Sequence, residues 1–139
     1  MRFGMTFGFV SPPDSGQTWE SCARDLLENA PVLESLDFDS IHCIEHHFQP
    51  DGHNPAPLMT LAAVAAVTRR IRLVTHLLLV PLYTPVKLAE DVAVLDNISG
   101  GRVTLGVAPG YVTEEFDGLM VPYKERFRRF EEALDLMQQ

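Results

Sequence analysis

Residues 71–80, IRLVTHLLLV, constrain the fold of this chain more than any other stretch. They are β-branched and apolar with no polar–apolar alternation, which describes a parallel strand covered on both faces. Parallel strands need crossover helices between them. The flanks supply them: PAPLMTLAAVAAVTRR before, apolar nearly all round with proline near its first turn, and PVKLAEDVAVLDNISGG after, with a Leu88, Val92, Leu95 stripe and two terminating glycines.

The rest of the chain repeats the unit. RFGMTFGFV alternates Phe3, Met5, Phe7 and Phe9 with period two, and FDSIHCIE reads as a short buried strand. Between them, TWESCARDLLENAPVLESL carries Trp19, Ala23, Leu26, Leu27 and Ala30 at helical spacing. Thr18 is placed as its N-cap with Ser21 three residues on. Pro31 is expected to break or kink that helix near Ala30. RVTLGVAPG is a fourth strand, and YKERFRRFEEALDLMQQ is a fourth helix with Phe127, Phe130, Leu134 and Met137 on one face. The order βαβαβαβα defines an α/β chain with a parallel sheet, over residues 1–139 as one domain. Four such units make either an open doubly wound sheet or half of a TIM-type (β/α)8 barrel.

Composition narrows the function. The 139 residues carry 46% hydrophobic and 22% charged side chains, ordinary for a globular domain. A net charge of -8 argues against nucleic acid or an anionic membrane as the main partner. The longest apolar run falls short of the ~20 residues that span a bilayer. Met1-Arg2 leads straight into strand-like alternation rather than a signal sequence, and Cys22 and Cys43 form no paired motif, so a cytoplasmic setting is expected.

Ligands of parallel α/β folds sit at the carboxyl ends of the strands. Three polar clusters fall there: Glu45-His46-His47-Phe48, Thr75-His76, and Gly106 to Tyr111. Metal ligation is disfavoured, because no His-x-His, Cys-x-x-Cys or H-E-x-x-H is present, and on an extended strand Glu45 and His47 face away from His42 and His46. Two readings of the histidines stay open, proton transfer near neutral pH or plain hydrogen-bonding caps at the strand mouth. LGVAPGY lacks G-x-G-x-x-G, so Gly106 and Gly110 serve a close approach of backbone or planar ligand, or a tight turn. Arg102 with Asp96 reads as a structural ion pair or cap, and KERFRR as a solvated helix face pairing with nearby glutamates.

FDSIHCIEHHF, the NPAP that follows, IRLVTHLLLVPLYTPVKLAEDVAVLDNISGGRVTLGVAPGY and EEFDGL together resemble the bacterial-luciferase-like flavin-dependent monooxygenases. The resemblance runs in order along essentially the whole chain and implies the N-terminal half of a (β/α)8 barrel. It further implies reduced FMN, supplied by a reductase, which with O2 oxygenates an aldehyde or another small organic substrate. His46 then matches the family's proton-transfer histidine. Glu45, His47, Thr75, His76, Leu77, Gly106, Ala108 and Gly110 fall on cofactor-binding segments, with a non-prolyl cis peptide expected between His76 and Leu77. No metal is implied. The deazaflavin F420 is the alternative cofactor, with hydride transfer in place of oxygenation, and a non-catalytic flavin-binding half-barrel is a further alternative. Ala108 stands where luciferase has a reactive cysteine, Pro109 where it has an arginine, and Asp37 where the family usually has glycine. A half-barrel, incomplete relative to the family's full barrel, exposes two sheet edges and an inner face expected to be apolar. Three outcomes are open, that two copies pair, that a complementary half-barrel completes it, or that the chain is a piece of a longer enzyme, and pairing is the one expected.

Overall fold

The computed structural model describes residues 1–138. Four strands, β1 (Gly4–Phe7), β2 (Ser40–Cys43), β3 (Arg72–Leu79) and β4 (Val103–Ala108), lie in the order β1-β2-β3-β4, all parallel. Helices α1 (Trp19–Ser35), α2 (Pro57–Val67) and α3 (Pro85–Ser99) connect them. After β4 come α4 (Thr113–Gly118) and α5 (Arg126–Met137). The sheet remains open at β1 and β4, giving the wall of a partial barrel rather than a closed one.

Register explains which side chains meet. Met5, Ile41 and Leu73 lie side by side, as do Phe7, Cys43 and Thr75. Ile41, Cys43 and Leu73 are fully buried under Leu26, Ala30, Leu33, Leu61, Val64 and Leu95 of the three helices. A second cluster, Leu78, Val80, Leu88 and Ala133, seats α5 against the end of β3, with Phe130 and Met137 packed on it. Burial also decides cysteine chemistry: it pushes the Cys43 thiol up to about 12, so this sulfur is an inert filler of the core.

The opposite face corrects two expectations. From Arg72 to His76 burial alternates, with Arg72 and His76 exposed and Leu73 and Thr75 buried, so this part of β3 is covered on one face only, whereas Leu78 and Leu79 at its end are both buried. Nor is that inner face apolar. A Cβ on Gly4 would stand 2.6 Å from both His42 Nε2 and Ser40 Oγ, and Arg72 donates to Thr104 Oγ1 at 2.8 Å across the same surface. A parallel strand at the wall of a half-barrel has helices outside and, among the described residues, no element within.

The element ends follow local chemistry. Thr18 caps α1 by a reciprocal box with Ser21. Pro31 neither breaks nor ends α1, which runs on to Ser35. Ala30 and Leu33 on either side of it are buried, so packing of the flanking turns holds the helix together where the local rule predicts a break. Gly100, at φ 70°, closes α3 in the left-handed conformation, and Asp37 adopts φ 58° where glycine is usual. Arg102 is not paired with Asp96. Its buried guanidinium bonds Ser99 O, Ile71 O, Ala65 O and Thr68, tying the C-terminal ends of α2 and α3, while Asp96 Oδ1 accepts from Val103 N. α5 begins later than expected and turns Ala133 inward, leaving Phe127 55% exposed under Arg126. Arg128 does pair with Glu125 and Glu132, as its spacing predicts.

Candidate active site at the strand mouth

At Cys43 the chain leaves β2, and the next residues bend across the carboxyl end of the sheet. The loop is clamped at both ends: His46 N donates to Asn54 O at 3.1 Å, and Ser11 N donates to Asp51 O at 2.7 Å. Asn54, 1% exposed, accepts from Ala56 N and donates to Thr60 Oγ1, fixing the entry to α2. A loop tied this way presents its side chains in one arrangement.

Glu45 lies beneath this loop, its side chain without exposure. Oε1 accepts from Tyr83 OH at 2.5 Å and from His47 Nε2 at 3.0 Å, and Oε2 accepts from Leu79 N at 2.6 Å. One carboxylate thus joins the ends of β2 and β3 and the turn before α3. Burial, and then the adjoining carboxylate, raises the Tyr83 phenol well above its ordinary value, so it stays a donor. Glu45 therefore stands behind the lining, where it supports the site.

His46 is directed differently. Its Nδ1 lies 2.9 Å from Glu115 Oε1 of α4, which also accepts from His47 N at 3.0 Å. A carboxylate oxygen offers only lone pairs, so Nδ1 is the donor of this bond, and the neutral form of the ring has Nε2 as its acceptor. Glu115 is 1% exposed, and its Oε2 has no partner among the described residues, whereas the His46 ring is 25% exposed. The ring of Tyr111 lies edge-on to His46 at 6.3 Å, and that of His53 at 5.1 Å.

The third strand end is irregular. The His76–Leu77 peptide is cis, as expected, and the β3–β4 register slips between Thr75 and Leu78. Thr75 Oγ1 bridges the slip, donating to Gly106 O at 2.8 Å and accepting from Gly106 N at 3.0 Å. A Cβ on Gly106 would strike the Thr75 carbonyl, and one on Gly110, at φ 76°, would stand 2.8 Å from the Phe116 ring. Both glycines thus serve close packing of the chain against itself. His76 reaches inward instead, 5.5 Å from the His42 ring, whose Nε2 lies 2.8 Å from Ser40 Oγ. Burial, then His76, lowers the His42 pKa, keeping that imidazole neutral.

Two features were not found in the sequence. Glu115, the partner of His46, sits 69 residues away on a six-residue helix too short to show a periodic pattern. His53, in the loop between β2 and α2, has Asp51 Oδ1 2.7 Å from its Nδ1. Among the described residues no cluster of three or more His, Cys, Asp or Glu is arranged to hold a metal ion.

A parallel βα half-barrel whose histidines and carboxylates converge on the strand mouth defines the class of protein. Residues 1–139 match the luciferase-like monooxygenase family, and the chain belongs to it. It is 43% identical over 122 residues to an F420-dependent glucose-6-phosphate dehydrogenase of Beutenbergia cavernae, covering 83% of this chain and 36% of that one. Its fold matches the monooxygenase RslO1 from Streptomyces bottropensis with TM-score 0.91 and 33% identity, over 99% of this chain and 42% of that one. It also matches the oxygenating constituent of 3,6-diketocamphane monooxygenase of Pseudomonas putida, in complex with FMN, with TM-score 0.89 and 26% identity, over 99% of this chain and 38% of the other. The chain therefore spans about two fifths of the length of these relatives. Members of the family are monooxygenases and oxidoreductases, some named for flavin and others for F420.

Proposed function

We propose that this chain supplies the proton-transfer half of a flavin-dependent oxidoreductase, which uses reduced FMN and O2 to oxygenate a small organic substrate. The observation that carries the reading is the His46–Glu115 pair at the strand mouth. A buried carboxylate fixes Nδ1 as a donor, so the neutral ring offers Nε2 as a base and the charged ring offers Nε2–H as an acid. The other expected residues divide into lining and support. His46, His76 and Leu77 reach the surface of the site, with Leu77 42% exposed beside the cis peptide. Glu45 and Thr75 hold that lining from behind, Glu45 fixes His47, and Gly106, Ala108 and Gly110 shape the β4 wall. These residues fit a planar ring better than a phosphate, since Pro109 brings neither charge nor N–H to the β4 turn. When bound, reduced flavin supplies the activation of O2. The chain's part is to present the ring to His46 and to move a proton at Nε2.

The partners proposed with this reading are a flavin reductase and a second half-barrel, either another copy or a complementary chain, in the cytoplasm. The open edges of β1 and β4 call for such a half. The test is titration of the chain, alone and co-expressed with the part of RslO1 that it does not cover, with oxidised and anaerobically reduced FMN. Saturable binding with flavin-dependent O2 consumption that falls about 10²–10⁴-fold in His46→Ala supports the reading. Binding with unchanged turnover in that variant overturns the role of His46. A second reading, F420-dependent hydride transfer, is favoured by the 43% identity to the Beutenbergia cavernae dehydrogenase. F420 reduction without O2 uptake would select it.

A further inference from the structure

The loop that carries His46 carries a second pair built on the same plan. His53 Nδ1 lies 2.7 Å from Asp51 Oδ1, and the His53 ring stands edge-on to the His46 ring at 5.1 Å, with an interplanar angle of 85°. Asp51 is held by its carbonyl, which accepts from Ser11 N, and the residue after His53 accepts from His46 N, so the two rings are fixed against each other by backbone on both sides. Each ring has its Nδ1 occupied by a carboxylate, and each is partly open, 25% at His46 and 19% at His53. His47 is the contrast within the same loop: its carboxylate, Glu45, takes Nε2 and leaves Nδ1.

We infer that His53, oriented by Asp51, is a second hydrogen-bond-accepting imidazole of this site. In their neutral forms these two rings, 5.1 Å apart, each keep Nε2 as an acceptor, so the strand mouth carries two acceptors on neighbouring rings. A site of two neighbouring acceptors selects a ligand with two N–H or O–H donors, and a ligand with only ethers or carbonyls leaves both nitrogens unmatched. The inference deepens the assignment of His46 as the acid–base group and rests on it for the location of the site. It adds the class of ligand group that binds there, a donor-bearing one such as a diol or a diphenol.

The geometry predicts a distinct pattern of tautomers, which can be read on the chain itself without a cofactor. In the histidine-15N-labelled protein at mildly alkaline pH, two-bond proton–nitrogen correlation spectra should show hydrogen on Nδ1 and a bare Nε2 at His46 and His53, and the reverse at His47. Asp51→Ala should return His53 to the mixture dominated by Nε2–H that an unpaired imidazole adopts, with His46 and His47 unchanged as the record of an intact fold. Catechol, at millimolar concentration, should move the Nε2 resonances of both His46 and His53, and 1,2-dimethoxybenzene, which has no donors, should move neither. Hydrogen on Nε2 of His53 in the parent protein overturns the inference. So does a parent spectrum that Asp51→Ala leaves unaltered, or a catechol response confined to His46. Failure of FMN to bind, with the tautomers and the catechol response as predicted, removes the flavin reading and leaves the two-acceptor site standing.

Discussion

At the residue scale, the buried carboxylates decide how the site is held. Glu45 satisfies three donors at once, the Leu79 amide, the Tyr83 hydroxyl and the His47 ring. Glu45→Ala strands all three beneath the loop, and urea denaturation should show a loss of about 3–5 kcal/mol. Two of the left-handed glycines, Gly100 and Gly110, separate backbone strain from crowding. Gly100 has open space around the position of a Cβ, whereas at Gly110 that atom meets the Phe116 ring. Gly100→Ala should therefore cost about 1 kcal/mol, the penalty of the conformation alone, and Gly110→Ala should cost roughly 1–3 kcal/mol more, with both variants compared by the same denaturation midpoint.

At the element scale, the junction of α1 with β3 is governed by Glu34. Its carboxylate accepts from Arg69 N, Arg70 N and Ile71 N at 2.5 to 3.1 Å, filling the ring of amides that opens the strand. Partial burial raises its pKa, but these three amides and the nearby Arg70 charge outweigh that, and the net displacement is downward from about 4.5. A carboxylate depressed on folding contributes stability that is fully present above its unfolded value and is lost as pH falls through the folded one. Acid titration of the parent should therefore show a fall in stability beginning near pH 4.5 and continuing below it. Glu34→Gln should flatten that fall by an amount on the order of 1 kcal/mol or less, because solvent screens so open a group. Within α1, Pro31 removes one amide from a helix that continues past it. Pro31→Ala should raise the thermal midpoint, by the equivalent of about 1–3 kcal/mol, since the helical backbone is already in place.

At the scale of the whole molecule, one face is complete and another is not. The outer face of β2 and β3 lies under three helices, whereas Phe3 and Met5 of the first strand region remain 56% and 38% exposed beside an unpaired edge. Such an edge promotes association. Sedimentation of the isolated chain should show self-association, and replacing both Phe3 and Met5 with lysine should shift it towards the monomer without unfolding it.

The sequence by itself determined the four βα units, the parallel order, the position of the strand mouth and the histidine at its centre. These are local matters, since the period of apolar residues and the caps at Thr18 and Gly100 act within one or two turns. The cis peptide after His76 was also legible, through resemblance rather than through periodicity. Tertiary structure alone decided that α1 passes unbroken through Pro31, because buried neighbours on both sides outweigh one missing amide. It decided that the inner face is polar, since alternation along β3 shows only once its helices cover a single side. It also decided the partners of the histidines. Glu115 reaches His46 across 69 residues of chain and Asp51 turns His53 back onto it, and hydrogen bonds of that kind exist only once the strands have been brought into register.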